Sequence, residues 1–400
     1  MKAIIHIGTE KTGTTSIQEF LYLNQETLKK FGYYFIQSAG RRNNRALPSV
    51  CMLEDKYDDF FQSKNIKNSQ EKLTFKNDVL KKLKAEITST PSHIHTVIIS
   101  SEHFHSRTRS SDEIKNVYNI LKPFFSELRI VCYLRRQVDV CTSLYSTAIK
   151  VGQTLSLLEF IKECHPGNIY YNYFDMLSQW ASVFGKDSIS AAVFNPKSFL
   201  NRCLLDDFTS LISDQLVGKL NKDFPIQNES LSYTGQVIGK AFNKLFPSND
   251  KSHKRISIHC KNLLLNKCVG KGEQLPLQLE DDISNSFKES NEQLRLAYFP
   301  ELNSIFEKKV PSPSQNVVSD NLPDLISEIL SFIVTKENGI VLSDKYANLF
   351  RDAAIALEKD NLNQAYDLMR LAHTIRPTGE VIRKKLNVYQ KKLNPGSLLL

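Results

Sequence analysis

KAIIHIGTEKTGTTSIQEFL, residues 2–21, decides the fold. Lys2 to Ile7 is short, rich in β-branched residues, and stops at Gly8, which predicts a strand. Thr9 to Thr15 is a polar Gly/Thr loop. From Ser16 onward, Ile17, Phe20, Leu21 and Leu28 fall at helical spacing, with a break expected near Asn24. Strand, glycine loop and helix together turn backbone N–H groups and a helix N-terminus toward an anion.

The same alternation continues downstream. Phe31–Ile36 reads as a second strand, 40–65 as a long loop with short helices, and Glu71–Thr88 as an amphipathic helix. Thr96–Ser100, Leu128–Leu134 and Ser188–Phe194 are further buried strands. Helices are expected at Asp112–Lys122, Asp139–Lys150 and Pro196–Ile212. Strands separated by helices imply a parallel sheet covered on both faces, with ligands at the C-terminal strand ends.

The loop Gly8-Thr9-Glu10-Lys11-Thr12-Gly13-Thr14-Thr15-Ser16 has the two glycines of a nucleoside-triphosphate loop at the right spacing. Thr14 stands where that pattern requires Lys, so the strict pattern fails. Gly13 still lets the backbone approach an anion, and Thr14, Thr15 and Ser16 offer hydroxyls and N–H groups. Lys11, in mid-loop, can reach over a transferred group. A second segment, RIVCYLRRQVDVCTS (129–143), places Arg135 at a strand end and Ser143 eight residues later on a helix. An arginine fork plus a hydroxyl suits a phosphate, though the pair alone is a weak signal.

Together the two segments resemble the PAPS-dependent sulfotransferases (PAPS, 3′-phosphoadenosine 5′-phosphosulfate). The resemblance covers roughly residues 1–305 and implies an α/β fold. Its core is a central parallel sheet of about four or five strands flanked by helices, P-loop-kinase-like. By that resemblance Lys11 touches the bridging oxygen and sulfuryl group, while Thr12, Gly13, Thr14, Thr15 and Ser16 hold the 5′-phosphate. Arg135 and Ser143 bind the 3′-phosphate, and Gln137 stands where many relatives have Pro. Gly270-Lys271-Gly272 is similar to a late loop that closes over the 3′-phosphate and adenine.

A proton acceptor is expected beyond Thr96–Ser100, where Ser101-Glu102-His103-Phe104-His105 follows. Glu102 and His103 are both chemically suitable. Ser-Ser-Glu here looks like the bacterial, carbohydrate-directed branch, so Glu102 is the first choice and His103 the reserve. The implied reaction moves a sulfuryl group from PAPS to a hydroxyl of a polysaccharide or glycolipid and releases PAP, with no metal required. Structural readings stand beside this one: Glu102 paired to a cation, or His93, His95, His103 and His105 around a metal. His6 reads as a core or near-site hydrogen-bond partner, Trp180 as core, and Arg41-Arg42-Asn43-Asn44-Arg45 as an acidic-sugar contact or a solvated loop. Two alternatives remain: a P-loop NTPase, and a degenerate fold that binds without turnover.

Bulk properties bound these readings. The chain has 400 residues with net charge +9, from 52 Lys+Arg against 43 Asp+Glu, which suits anionic ligands. No long basic run points to nucleic acid. Seven cysteines without repeated spacing argue against a disulfide framework or a structural zinc. No stretch of about 18 apolar residues occurs, and the N-terminal apolar run is too short for a signal-peptide core, so a cytoplasmic setting is expected. Residues 1–310 are expected as the sulfotransferase domain and 311–343 as linker and helix. Residues 344–393 read as a helical hairpin similar to one tetratricopeptide-type repeat, with Ala365, Ala372 and Pro377, either packed on the main domain or used for self-association.

Overall fold

The computed structural model describes residues 1–224, 230–245, 267–307 and 344–393. The expected linker at 311–343 and Cys260 lie outside them. Five strands form one parallel sheet: β1 (Lys2–His6), β2 (Tyr33–Phe35), β3 (Thr96–Ser100), β4 (Glu127–Leu134) and β5 (Ile189–Val193). Their order is β2-β3-β1-β4-β5. This is the α/β, P-loop-kinase-like architecture expected from the sequence. β1 sits at the centre, with Ile5 opposite Ile99 on one side and Ile130 on the other.

Alternation along the strands feeds two cores. Ala3, Ile5, Ile7, Val97, Ile99, Ile130 and Cys132 pack with Val79, Leu83 and Ile87 of the helix Ser69–Thr88. Ile114 and Val117 of the helix Ser111–Leu121 join them, as do Leu177 and Trp180 of the helix Tyr173–Phe184. On the opposite face Ile4, Ile98, Val131 and Tyr133 pack with Ile17, Phe20 and Leu21 of the helix Thr14–Leu23. Phe208 and Ile212, from the helix Leu204–Ile212, close that side. Each buried Val, Leu, Ile or Phe side chain among these contributes about 1.5–3 kcal/mol. Burial on both faces is why the central strands read as continuous apolar runs.

Asn24 breaks the first helix as expected, and a second begins at Gln25. The helix expected over Pro196–Ile212 forms only from Leu204. Asn201 (φ 54°) and Arg202 (φ 53°) are left-handed. Asp207 Oδ1 accepts from the Leu200 N–H at 2.9 Å, holding a tight turn where a helix would run on. The helix Tyr173–Phe184 had no counterpart in the reading of the sequence; Trp180 on it is fully buried, as expected of a core residue.

The chain divides into two compact units: 1–140, 163–228 and 281–309 in the first, and 141–162, 229–280 and 310–400 in the second. The first holds the sheet. In the second, the helices Asp344–Leu357 and Leu362–Ile375 form the expected hairpin, and a third helix, Glu380–Leu393, packs on it. Ala347, Ala354, Ala365 and Ala372 are completely buried there, which lets the helix backbones approach closely. Among the described residues no helix is long and apolar enough to cross a membrane.

Candidate active site

Three adjacent strands end together. Past β1 the chain stays tied to β4: the Thr9 N–H donates to the Tyr133 carbonyl at 3.0 Å, and Tyr133 N–H to the Gly8 carbonyl at 2.7 Å. The Thr9 hydroxyl also donates to Tyr133 O (2.9 Å), and the Thr12 hydroxyl to Thr9 O (2.7 Å). Thr9 and Thr12 are thereby buried supports of the loop. Thr14 and Thr15 begin the helix, with Ser16 in its first turn.

Two glycines make the loop feasible. Gly8 has φ 106°, and an added Cβ would lie 3.2 Å from Glu102 Cα, so its absence lets the loop lie against the end of β3. Gly13 precedes the helix with φ 74°, and a Cβ there would come within 2.3 Å of Leu204 Cδ2. Gly13→Ala is expected to destabilise the protein by about 1–2 kcal/mol from the left-handed backbone, with further cost in moving Leu204. A lower urea midpoint at unchanged m-value would show it.

Arg135, just past β4, is the second anchor. Its Nη1 donates to the Lys11 carbonyl at 3.0 Å, and its guanidinium lies 5.5 Å from the Phe194 ring centroid. The Tyr173 hydroxyl donates to the Arg135 carbonyl at 2.7 Å. Burial lowers the Arg135 pKa, against the raising charge of Asp139, but an arginine remains cationic. The structure thus joins two of the expected donor-binding residues, Lys11 and Arg135, directly. Ser143 lies farther along the helix Gln137–Lys150, in the part that belongs to the second unit. Lys271 is also in the second unit, its carbonyl accepting from the Tyr233 N–H at 2.9 Å.

Past β3, Glu102 Oε2 accepts from Gln18 Nε2 at 2.6 Å. His103 Nε2 lies 3.8 Å from Glu102 Oε1, and His103 Nδ1 lies 3.9 Å from Glu10 Oε1. Glu10 was missed as a candidate. An acid inside an anion loop was the available signal, but its partner, Tyr170, is 160 residues away and donates to Glu10 Oε2 at 2.6 Å. Burial alone would raise the Glu10 pKa. The Tyr170 hydrogen bond and the neighbouring His105 outweigh it and hold the carboxyl below its ordinary range.

The remaining histidines sit elsewhere. His6 Nδ1 meets Ser100 Oγ at 2.8 Å, and burial pushes its pKa down to about 3, so it is a neutral core partner as expected. His93 contacts the Lys29 carbonyl, and His95 the Thr96 hydroxyl, at the opposite end of β3 from His103. Among the described residues no three His, Cys, Asp or Glu side chains form a metal-holding group. The basic cluster after β2 is partly structural: Arg45 is buried on Asp58 and Asp59, and Asn44 Oδ1 accepts from the Ser100 N–H. Arg41 and Arg42 lie over the Tyr22 ring, and Arg42 pairs with Glu19 at 2.6 Å. Arg136 forks onto Asp139.

No protein-family model matches the chain. An uncharacterized protein of Archaeoglobus fulgidus is 25% identical over 229 residues, 54% of this chain. The match spans 60% of that relative's length. Among solved structures, the crystal structure of a sulfotransferase from Alicyclobacillus acidocaldarius aligns with 73% of this chain and 94% of that chain, at a TM-score of 0.40 and 12% identity.

Chemically, the arrangement offers a glycine loop that carries a lysine, an arginine tied to that loop, and a carboxylate and imidazole past the neighbouring strand β3.

Proposed function

We propose that the chain is a PAPS-dependent sulfotransferase acting on a hydroxyl of a carbohydrate acceptor, a polysaccharide or glycolipid, in a cytoplasmic setting. The observation that carries this reading is the Arg135 Nη1 to Lys11 carbonyl hydrogen bond of 3.0 Å. It supports one ligand with anionic groups at both the loop and the end of β4. The position of Lys11, two residues before Gly13, favours a sulfuryl donor over a triphosphate.

In this reading the acceptor oxygen forms the new O–S bond as the bond from sulfur to the 5′-phosphate oxygen breaks. The leaving electron pair stays on PAP, where Lys11 meets the developing charge. Glu102 takes the acceptor proton. Thr14, Thr15 and Ser16 hold the 5′-phosphate, and Arg135 holds the 3′-phosphate. The helices of 344–393 are proposed as a surface for self-association.

Radiolabelled PAPS incubated with a panel of glycans and glycolipids tests the reading. Label transferred to a saccharide hydroxyl, with PAP released in equal amount, is the expected result. Hydrolysis of Mg-ATP with no transfer from PAPS would favour a phosphate-transferring enzyme instead.

A further inference from the structure

Nucleotide binding does not account for Glu10. A carboxylate inside a loop built for an anion repels the ligand, yet Tyr170 and His105 hold its position, and they also bond to each other. Tyr170 donates to Oε2. The Glu10 backbone N–H donates to His105 Nδ1 at 3.3 Å, and His105 Nε2 reaches the Tyr170 carbonyl at 2.9 Å. Because Nδ1 accepts, Nε2 carries the His105 proton. Burial holds the His105 pKa down at about 4, so this ring is a neutral strut near pH 7. Tyr170 stays protonated, its pKa raised first by burial and then by Glu10.

What the strut holds is the other oxygen, Oε1, toward His103 Nδ1, an atom that is buried without a hydrogen-bond partner. The opposite edge of the same ring faces Glu102. A proton on Nδ1, directed at Glu10, leaves the Nε2 lone pair directed at Glu102. At 3.8–3.9 Å both contacts are ion-pair separations rather than formed hydrogen bonds.

Resting on the sulfuryl-transfer reading, we propose that Glu10 is a positioning residue: it orients the His103 ring and stabilises its protonated form, so that His103 receives from Glu102 the proton taken from the acceptor. The acceptor O–H bond breaks as the O–S bond forms. Its proton passes to the Glu102 carboxylate, then to His103 Nε2, and returns to water after product leaves. Glu102 is thereby ionised again for the next turnover. Four charged groups act on His103: Glu102 and Arg107 on its own segment, Glu10 from the loop after β1, and Arg45 from the loop after β2. Burial is the largest influence and, with Arg45 and Arg107, outweighs the two carboxylates, so the His103 pKa lies below its ordinary value. The ring is therefore neutral and able to accept at pH 7.

Removing the Glu10 charge removes a raising influence, so the His103 midpoint must move to lower pH in Glu10→Gln. That variant keeps an oxygen for Tyr170. NMR titration of the labelled imidazole, assigned with His103→Asn, reads the midpoint whether or not any acceptor is known. Activity should follow: kcat/KM at pH 7 falls about 10-fold, part of what a whole general base supplies. The acidic limb of its pH profile moves to lower pH, a displacement that structural damage would not produce. Glu10→Asp, which keeps the charge, should bring the midpoint back toward wild type and guards against loss of fold in the first variant. A midpoint unmoved by Glu10→Gln, or moved upward, overturns the proposal even if transfer is robust. A midpoint lowered in protein that transfers no sulfuryl group supports the Glu10–His103 pairing and counts against the transfer reading instead.

Discussion

Lys11→Ala is expected to lower kcat for sulfuryl transfer by about 10²–10³-fold, the usual cost of removing one preorganised group aimed at developing charge. Lys11 sits at φ 65°, and alanine meets the same left-handed penalty as lysine, so the loop gains no new strain. The Arg135 bond is to the Lys11 carbonyl and survives the substitution. PAP affinity should therefore change far less than kcat, because the lost contact belongs to the transition state. Initial rates with saturating PAPS measure it. A Lys11→Ala enzyme at full rate would remove the assigned role.

Glu102→Gln is expected to cost about 10²–10⁴ in kcat, the range for a positioned general base. Glutamine keeps the volume and retains an oxygen to accept from Gln18 Nε2, now at 2.6 Å from Glu102 Oε2. Donor affinity should be nearly unchanged, since Glu102 lies past β3, apart from the Arg135 anchor. Calorimetric PAP binding beside single-turnover transfer separates the two effects. An undiminished rate would shift the proton-accepting role directly to His103, whose ring lies between Glu102 and Glu10.

The elements that the sequence revealed are those with local causes. β1, β3 and β4 are short β-branched runs because both of their faces are buried, and the loop after β1 announces itself through Gly8 and Gly13. The overextended helix before Leu204 failed for an equally local reason: the apolar period continued through residues that the Asp207 cap turns into a tight bend. The Tyr173–Phe184 helix went unread, although its apolar face, Met176, Leu177 and Trp180, packs into the core. Within the candidate site, the sequence pattern locates Arg135 and Glu102 just past β4 and β3, and Lys11 in the glycine loop after β1, because those elements have local signals. Tyr170 is not, since nothing near it in sequence says that its hydroxyl meets Glu10. Arg45 was misleading in the opposite sense: a basic cluster that looks available for ligand is partly spent on Asp58 and Asp59.

Calorimetric titration with adenosine 3′,5′-bisphosphate and adenosine 5′-phosphate, on the wild type and on Arg135→Ala, isolates the 3′-phosphate. A hydrogen bond to a charged group is worth about 1.5–3 kcal/mol. Wild type should bind the bisphosphate at least about 10-fold tighter, and Arg135→Ala should lose that preference while keeping its affinity for the monophosphate. Equal wild-type affinity for the two nucleotides, or a preference that survives Arg135→Ala, would contradict the account.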